Sequence, residues 1–234
     1  MRIEATRAAG GTVATPRYLQ DTYWWAYVHP NAVRLFERQW LVNLILWGNF
    51  GRLRDAALDA LGHALSGCTL QVACVYGNLT ERLLQRHGPD ARVTVVDVLA
   101  IQLENLARKL RAPASVNLLL GDSADLPVPV AAYDRALIFF LLHEQPERVR
   151  RATLANALRV VKPGGRIVIV DYHRPARANP LYWPMVGVLR LLEPFALDLW
   201  RHDIAEWLPG DMPVASLTKR TLFGGLYQLV TITV

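Results

Sequence analysis

Four polar residues stand at the ends of two apolar runs, where their types could do chemistry. His143 and Glu144 follow Tyr133-Asp-Arg-Ala-Leu-Ile-Phe-Phe-Leu-Leu142, and Asp171 and His173 follow Arg166–Val170. In an open α/β fold the carboxyl ends of the strands are where sites are built. Asp171 and His173 are two apart, so they share one side of an extended chain. Two imidazoles and two carboxylates from adjacent strand ends can hold a hard or borderline divalent ion. No tight ligand spacing accompanies them. Each histidine equally serves as a hydrogen-bonded loop residue, and Asp171 equally caps the turn that follows it.

A second group lies in Gln71-Val-Ala-Cys-Val-Tyr-Gly-Asn78. Enzymes that use S-adenosylmethionine on a strand–loop–helix of this layout read acidic-x-Gly-x-Gly-x-Gly there. The four marked positions here are Gln71, Ala73, Val75 and Gly77, so one glycine is left. Glycine permits positive φ and lets a ligand approach the backbone. Val75 is β-branched and resists that geometry. The cofactor is therefore either lost or held in a different pose. Tyr76 brings a hydroxyl into the loop, and Cys74 fills the space a glycine vacates or acts as a nucleophile.

The elements around this loop argue that the cofactor fold is intact. Val93-Thr-Val-Val-Asp97 ends in an acid about 20 residues past the loop, the place of a ribose-binding carboxylate, with Val98 next to it. Gly121-Asp122-Ser123 follows the apolar run Val116–Leu120, the usual place for contacts to an adenine, and Phe139 closes a further buried strand. Asn78 is a good cap for a helix over Leu79–His87. A helix marked by Leu154, Leu158 and Val161 stops at the turn signal Lys162-Pro-Gly-Gly165. Strands alternating with helices predict a doubly wound, mainly parallel Rossmann-like sheet. Val214–Thr221 and Leu226–Val234, split by Phe-Gly-Gly, predict a C-terminal antiparallel hairpin. The expected organisation is a helical lid over 1–66 and a cofactor domain over 67–234, with a helical insertion at about 176–210.

At 234 residues the chain buries a sizeable core without disulfides, and Cys68 and Cys74 read as reduced, in a cytosolic setting. No apolar run reaches the roughly 18 residues of a spanning helix. Residues 1–17 carry three arginines and one acid but no secretory apolar core, which leaves an organelle-targeting tail or a disordered bacterial N-terminus. Net charge is +6, yet the arginines are scattered, which argues against nucleic acid. The seven tryptophans are more telling. Tyr23-Trp-Trp-Ala-Tyr-Val-His-Pro leads into a helix opened by Asn31, with Val33, Phe36, Trp40, Leu44 and Trp47 in a stripe. From Trp40 onward this helix is apolar nearly all round, so it is either deeply buried or pressed against lipid or a lipid substrate. Leu181–Trp200 repeats the mixture. Tyr27, His29, Trp40, Tyr182 and Trp183 are the expected contacts to a hydrophobic substrate; a larger core with interfacial tryptophans is the other reading, and helix entry the plainer role of His29.

Tyr23–Arg34, Phe36–Asn49 and Val72–Gly77 together resemble the RquA family of rhodoquinone biosynthesis proteins, over nearly the whole chain from Tyr18. Leu192–Arg201 is similar to the related quinone and phospholipid methyltransferases. The resemblance implies a class I methyltransferase fold that replaces a methoxy group of ubiquinone with an amino group. It implies S-adenosylmethionine as the amino donor, assisted by manganese. The cofactor would lie against Ala73, Cys74, Val75, Tyr76, Gly77, Asp97, Val98, Asp122, Ser123 and Phe139. A metal on His143, Glu144, Asp171 and His173 would act as a Lewis acid, His143 or Glu144 as the base, and Tyr76 in seating the amino-acid end. Such a protein would work on the inner face of a bacterial cell membrane, or in the mitochondrial matrix of a eukaryote. An ordinary methyltransferase acting on a quinone or lipid, or a non-catalytic quinone carrier, are the alternatives; a pure carrier needs neither Asp97 nor Asp122.

Overall fold

A computed structural model of the chain describes residues 15–23, 38–110 and 116–234. The start of the chain, Asn31, Val33 and Phe36 of the aromatic segment, and the expected substrate contacts Tyr27 and His29 lie outside the described residues.

Among the described residues, three helices precede the sheet: α1 (Arg17–Thr22), α2 (Gln39–Ile45) and α3 (Phe50–Leu61). Then β1 (Cys68–Val72), α4 (Leu79–Leu84), β2 (Arg92–Asp97), α5 (Ala100–Lys109) and β3 (Val116–Leu120) alternate. They are followed by β4 (Tyr133–Phe139), α6 (Glu147–Val160) and β5 (Val161–Tyr172). Helix α7 (Tyr182–Leu192) and two 3-10 turns, Ala196–Trp200 and Ile204–Trp207, separate β5 from β6 (Ser216–Leu222) and β7 (Tyr227–Thr233).

The described strands form one seven-stranded sheet in the order β3-β2-β1-β4-β5-β7-β6. Pairing is parallel from β3 to β5 and antiparallel from β5 through β7 to β6. This is the predicted doubly wound sheet with its C-terminal hairpin. The hairpin turns on Phe223, Gly224 and Gly225, all at positive φ, which the two glycines adopt without strain. The central strands are near-continuous apolar runs because both faces are covered. Helix α3 supplies one cover: Phe50, Leu53, Ala57, Leu58 and Leu61 recur at helical spacing and join the core under β4, β5 and β7. Strand order reverses between β1 and β4, which opens a crevice at their carboxyl ends.

Three local features differ from sequence expectation. Asn78 opens α4 without a side-chain cap bond; its Oδ1 instead accepts from Arg54 Nη1 at 2.7 Å. Lys162–Gly165 falls within β5 as an irregularity: pairing jumps from Tyr133–Val161 to Arg135–Arg166, and Gly164 takes φ +76°. The apolar stripe also breaks early. Helix α2 ends at Ile45, and Trp47 and Gly48 take positive φ to turn the chain into α3.

Candidate functional site

The loop after β1 folds without its glycines by moving the left-handed residue. Ala73 takes φ +72°, and Val75 is not at positive φ. An alanine there costs roughly 1–2 kcal/mol, so neighbours must hold it. Ala73 N–H donates to Val96 O at 2.8 Å, and Gln71 Nε2 donates to Ala73 O at 3.0 Å. Thr80 Oγ1 fixes Gln71 in turn, at 3.0 Å from its Oε1. An ionised acid at position 71 would have no hydrogen to give that carbonyl. Gly77 is required for a different reason: beyond its φ of +81°, a Cβ would lie 2.8 Å from the Phe50 ring.

Asp97 braces the same loop from β2. Its Oδ2 accepts from Cys74 N–H at 2.7 Å and its Oδ1 from Leu99 N–H at 2.8 Å. Burial raises its carboxyl to about 6, against the pull of these amides. Tyr76 Oη accepts from Gln102 Nε2 at 2.8 Å, and Lys109 Nζ donates to Gly77 O at 2.7 Å, which ties the loop to α5.

Across the crevice, Asp171 organises the end of β4. Its Oδ2 accepts from the backbone of Leu142 (2.9 Å) and His143 (3.3 Å), capping the 3-10 turn Leu142–Glu144. Its Oδ1 accepts from Tyr172 N–H at 2.7 Å and lies 2.9 Å from His143 Nδ1. The ring of His143 is held edge-to-face by Phe140 and Tyr172. Its Nε2 is 3.7 Å from Glu144 Oε1. Burial works against a charged imidazole here, but the charge and hydrogen bond of Asp171, with Glu193 and Glu144 nearby, outweigh it and push His143 up to about 9. At neutral pH His143 is therefore an imidazolium that can donate from Nε2. A cation there suits a hydrogen-bond donor more than a base, and the carboxylates of Glu144 and Glu193 stand beside it.

One cavity of about 490 Å³ joins the two halves. Ala73, Cys74, Val75, Tyr76, Asp97, Val98, Asp122, Ser123 and Phe139 line it, as do His143 and Glu144. Much of its remaining wall is apolar and includes Leu41, Val42 and Ile45 of α2 and Met185, Val188 and Leu189 of α7. Gly77 is not among the lining residues and packs instead on Phe50. Trp40 and Trp183 are exposed outside it. Tyr182 is turned to Trp200, 5.4 Å between ring centroids. On α7 the cavity face is thus 185, 188, 189 and 192, which leaves Trp183 on another side of the helix.

Several residues here escaped the sequence reading. Glu193, the first acid after Asp171, follows α7 in the cavity wall. Burial raises its carboxyl, against the pull of His143 and Tyr23. That isolation in an apolar stretch was the available signal. Arg150 is fully buried on α6 and had no signal, being one of several arginines in its helix. Its Nε donates to Leu142 O (2.9 Å), its Nη2 to Gln145 O (2.9 Å) and Phe195 O (3.1 Å), and the guanidinium sits 4.2 Å from the centre of the Trp207 ring. It pins the His143 turn to the insertion after α7.

The expected metal set does not fit. All four donors to Asp171 are protein groups, which leaves its oxygens engaged. His173 Nδ1 is 2.8 Å from Gly225 O, in the hairpin and off the cavity. Among the described residues no three His, Cys, Asp or Glu side chains are placed to hold a metal ion. Cys68 and Cys74 form no disulfide.

The sheet order, the loop after β1 and the acid ending β2 define the class I S-adenosylmethionine-dependent methyltransferase fold. Residues 69–165 match the family described as a methyltransferase domain. The chain is 26% identical to a demethylmenaquinone methyltransferase of Bacillus licheniformis over 70% of its own length and 73% of the relative's. It is 28% identical to the ubiquinone/menaquinone biosynthesis C-methyltransferase UbiE of Pseudomonas savastanoi pv. phaseolicola over 58% of this chain and 54% of that one. Among solved structures, the N-methyltransferase NodS of Bradyrhizobium japonicum in complex with S-adenosylhomocysteine superposes with a TM-score of 0.58 at 12% identity. That match covers 93% of this chain and 98% of NodS.

Proposed function

We propose that this chain converts ubiquinone to rhodoquinone, replacing a ring methoxy group with an amino group drawn from S-adenosylmethionine. The observation that carries the reading is a single cavity in which a cofactor-type loop faces an apolar wall across a buried acid–base cluster. The resemblance of the altered loop and the aromatic segment to rhodoquinone biosynthesis proteins selects this reaction over methylation.

S-adenosylmethionine would supply the nitrogen, with its adenosine end toward Asp97, Val98, Asp122, Ser123 and Phe139 and its amino-acid end toward residues 73–77. Tyr76 seats that end through its hydroxyl. His143, a cation with an N–H to give, stabilises negative charge on a quinone carbonyl oxygen and makes the methoxy-bearing carbon more electrophilic. Glu144 would take the proton that the donor's ammonium must lose before its nitrogen attacks, and would return it to the departing methoxide as methanol. The nitrogen is then bonded to both the ring and the donor's Cα, and loss of a Cβ proton to a neighbouring carboxylate would break the Cα–N bond, leaving the ring amine and an α,β-unsaturated donor fragment. Glu193 stands near the same histidine as a second acceptor. The α2 and α7 wall houses the apolar part of the substrate and keeps water away. Residues 1–66 serve as the lid and 176–210 as the substrate-binding insertion. The protein works peripherally on the cytoplasmic face of the cell membrane, where its substrate resides.

A second reading is methylation of a quinone ring, favoured by the names of the relatives, a demethylmenaquinone methyltransferase and a C-methyltransferase of ubiquinone and menaquinone biosynthesis. Expression in a bacterium that makes ubiquinone but no rhodoquinone separates them. Rhodoquinone in the lipid extract supports amino transfer. A newly methylated quinone supports the second reading, and an unchanged quinone pool that co-purifies with the protein leaves a carrier.

A further inference from the structure

Eight of the ten large apolar side chains exposed among the described residues fall on two short segments. Trp40 (60% exposed), Leu44 (64%), Ile45 and Trp47 belong to α2 and its exit. Trp183 (74%), Val188, Leu191 (81%) and Leu192 belong to α7. Trp47 Nε1 donates to Met185 Sδ at 3.1 Å, which brings the two segments together. Ile45, Val188 and Leu192 are at once exposed and part of the cavity wall, so the patch rims the cavity's mouth. Exposed apolar side chains gathered on two segments that touch mark an interaction site.

The charged side chains within these two segments are of one sign, although Asp55 and Glu193 follow them directly. From Arg38 to Arg54 and from Arg174 to Leu192 there is no acidic residue. Arg38, Arg52, Arg174, Arg177 and Arg190 in these stretches are all exposed. A protein partner of ordinary surface charge gives no reason to exclude every acid from both segments. An anionic lipid surface does, since arginines beside inserted apolar side chains meet its headgroups. No helix among the described residues is long and apolar enough to cross a membrane, so the contact lies on one leaflet.

We propose that α2 and α7 form a monotopic docking face for an anionic bilayer, with Trp40, Leu44, Trp183 and Leu191 inserted and the cavity opening between the two helices directly into the acyl region. This deepens the quinone reading, on which the route of entry rests, by naming the surface. The face itself rests on exposure and charge, and its test needs no quinone.

The test is flotation of the full chain with vesicles of phosphatidylcholine and phosphatidylglycerol, against phosphatidylcholine alone. The protein should float with the mixed vesicles, and added salt should weaken this. The variant Trp183→Ser/Leu191→Ser should bind at least about tenfold more weakly. Val130→Ser, an equally exposed apolar position at the opposite end of β4, should bind as wild type. Brominated lipids should quench the wild-type tryptophan emission, a readout that needs no variant. A chain that stays unbound with both lipids overturns the docking face. So does a dimer that the double variant splits, because a second copy would then be what covers the patch. Vesicle binding by a protein that makes no aminated quinone would leave the face standing and sink the reaction instead.

Discussion

His143 Nδ1 lies 2.9 Å from Asp171 Oδ1, and that carboxylate also accepts the backbone N–H groups of Leu142, His143 and Tyr172. One acid thus caps the turn that carries the histidine and fixes the histidine's charge. Replacing His143 by asparagine should lower turnover about 10²–10³-fold, the ordinary worth of a positioned acid. Cofactor affinity, measured by calorimetry, should stay within a few-fold. Turnover should hold up to high pH and fall as pH rises through about 9, where the imidazolium is lost. The same pair is linked to stability. The folded value lies above the ordinary 6.5, so its contribution is complete below pH 6.5 and is lost as pH climbs through about 9. Denaturant unfolding across that window should show the loss, and the His143→Asn variant should flatten it.

His87 has the opposite sign. Its Nδ1 lies 2.8 Å from Leu83 O and its Nε2 2.8 Å from Thr69 Oγ1, while burial lowers its value below 6.5. The neutral ring suits this site. Its stabilisation is therefore present above pH 6.5 and lost as pH falls through the lowered folded value. His87→Gln should reduce the acid-side slope of stability in urea titrations and leave turnover unchanged.

Ala73→Gly should stabilise the protein by about 1 kcal/mol, because glycine takes φ +72° without the Cβ clash. For a chain of this size that is a rise of about 2–4 °C in Tm. A fall in Tm would mean that the Gln71–Ala73 clamp depends on the methyl group. The loop can also be tested for function: Val75→Gly with Tyr76→Thr should weaken amination without abolishing cofactor binding. Unchanged amination would remove the loop from the mechanism.

Arg150→Met should cost about 3 kcal/mol or more. It leaves the carbonyls of Leu142, Gln145 and Phe195 without their donor in a buried site. Arg150→Lys should recover only part, since an ammonium cannot span the three acceptors with a planar fork. Thermal unfolding of both variants checks the order.

The sheet was legible because its signals are local. β-branched runs, the acid at position 97 and the Phe-Gly-Gly turn each read correctly within a few residues. The position of the loop was legible too, but its compensation was not. Sequence flagged Val75 as the obstacle, whereas the strain falls on Ala73 and is held by Gln71, a residue that reads only as a lost acid. Metal geometry failed for a related reason. Asp171 and His173 share a strand side by spacing, yet nothing in the sequence shows that three backbone amides and an imidazole already fill Asp171, or that His173 turns to the hairpin. On α7, aromatic residues drew attention to Tyr182 and Trp183, while the cavity is lined by the plainer Met185, Val188 and Leu189.

The origin of the nitrogen separates amino transfer from methylation. Purified protein should be incubated with ubiquinone and S-adenosylmethionine carrying ¹⁵N at its α-amine, with and without Mn²⁺, and the quinone examined by mass spectrometry. Rhodoquinone bearing ¹⁵N should form, and none from the His143→Asn protein in the same time. A methylated quinone with S-adenosylhomocysteine, or rhodoquinone without the label, would contradict amino transfer from S-adenosylmethionine.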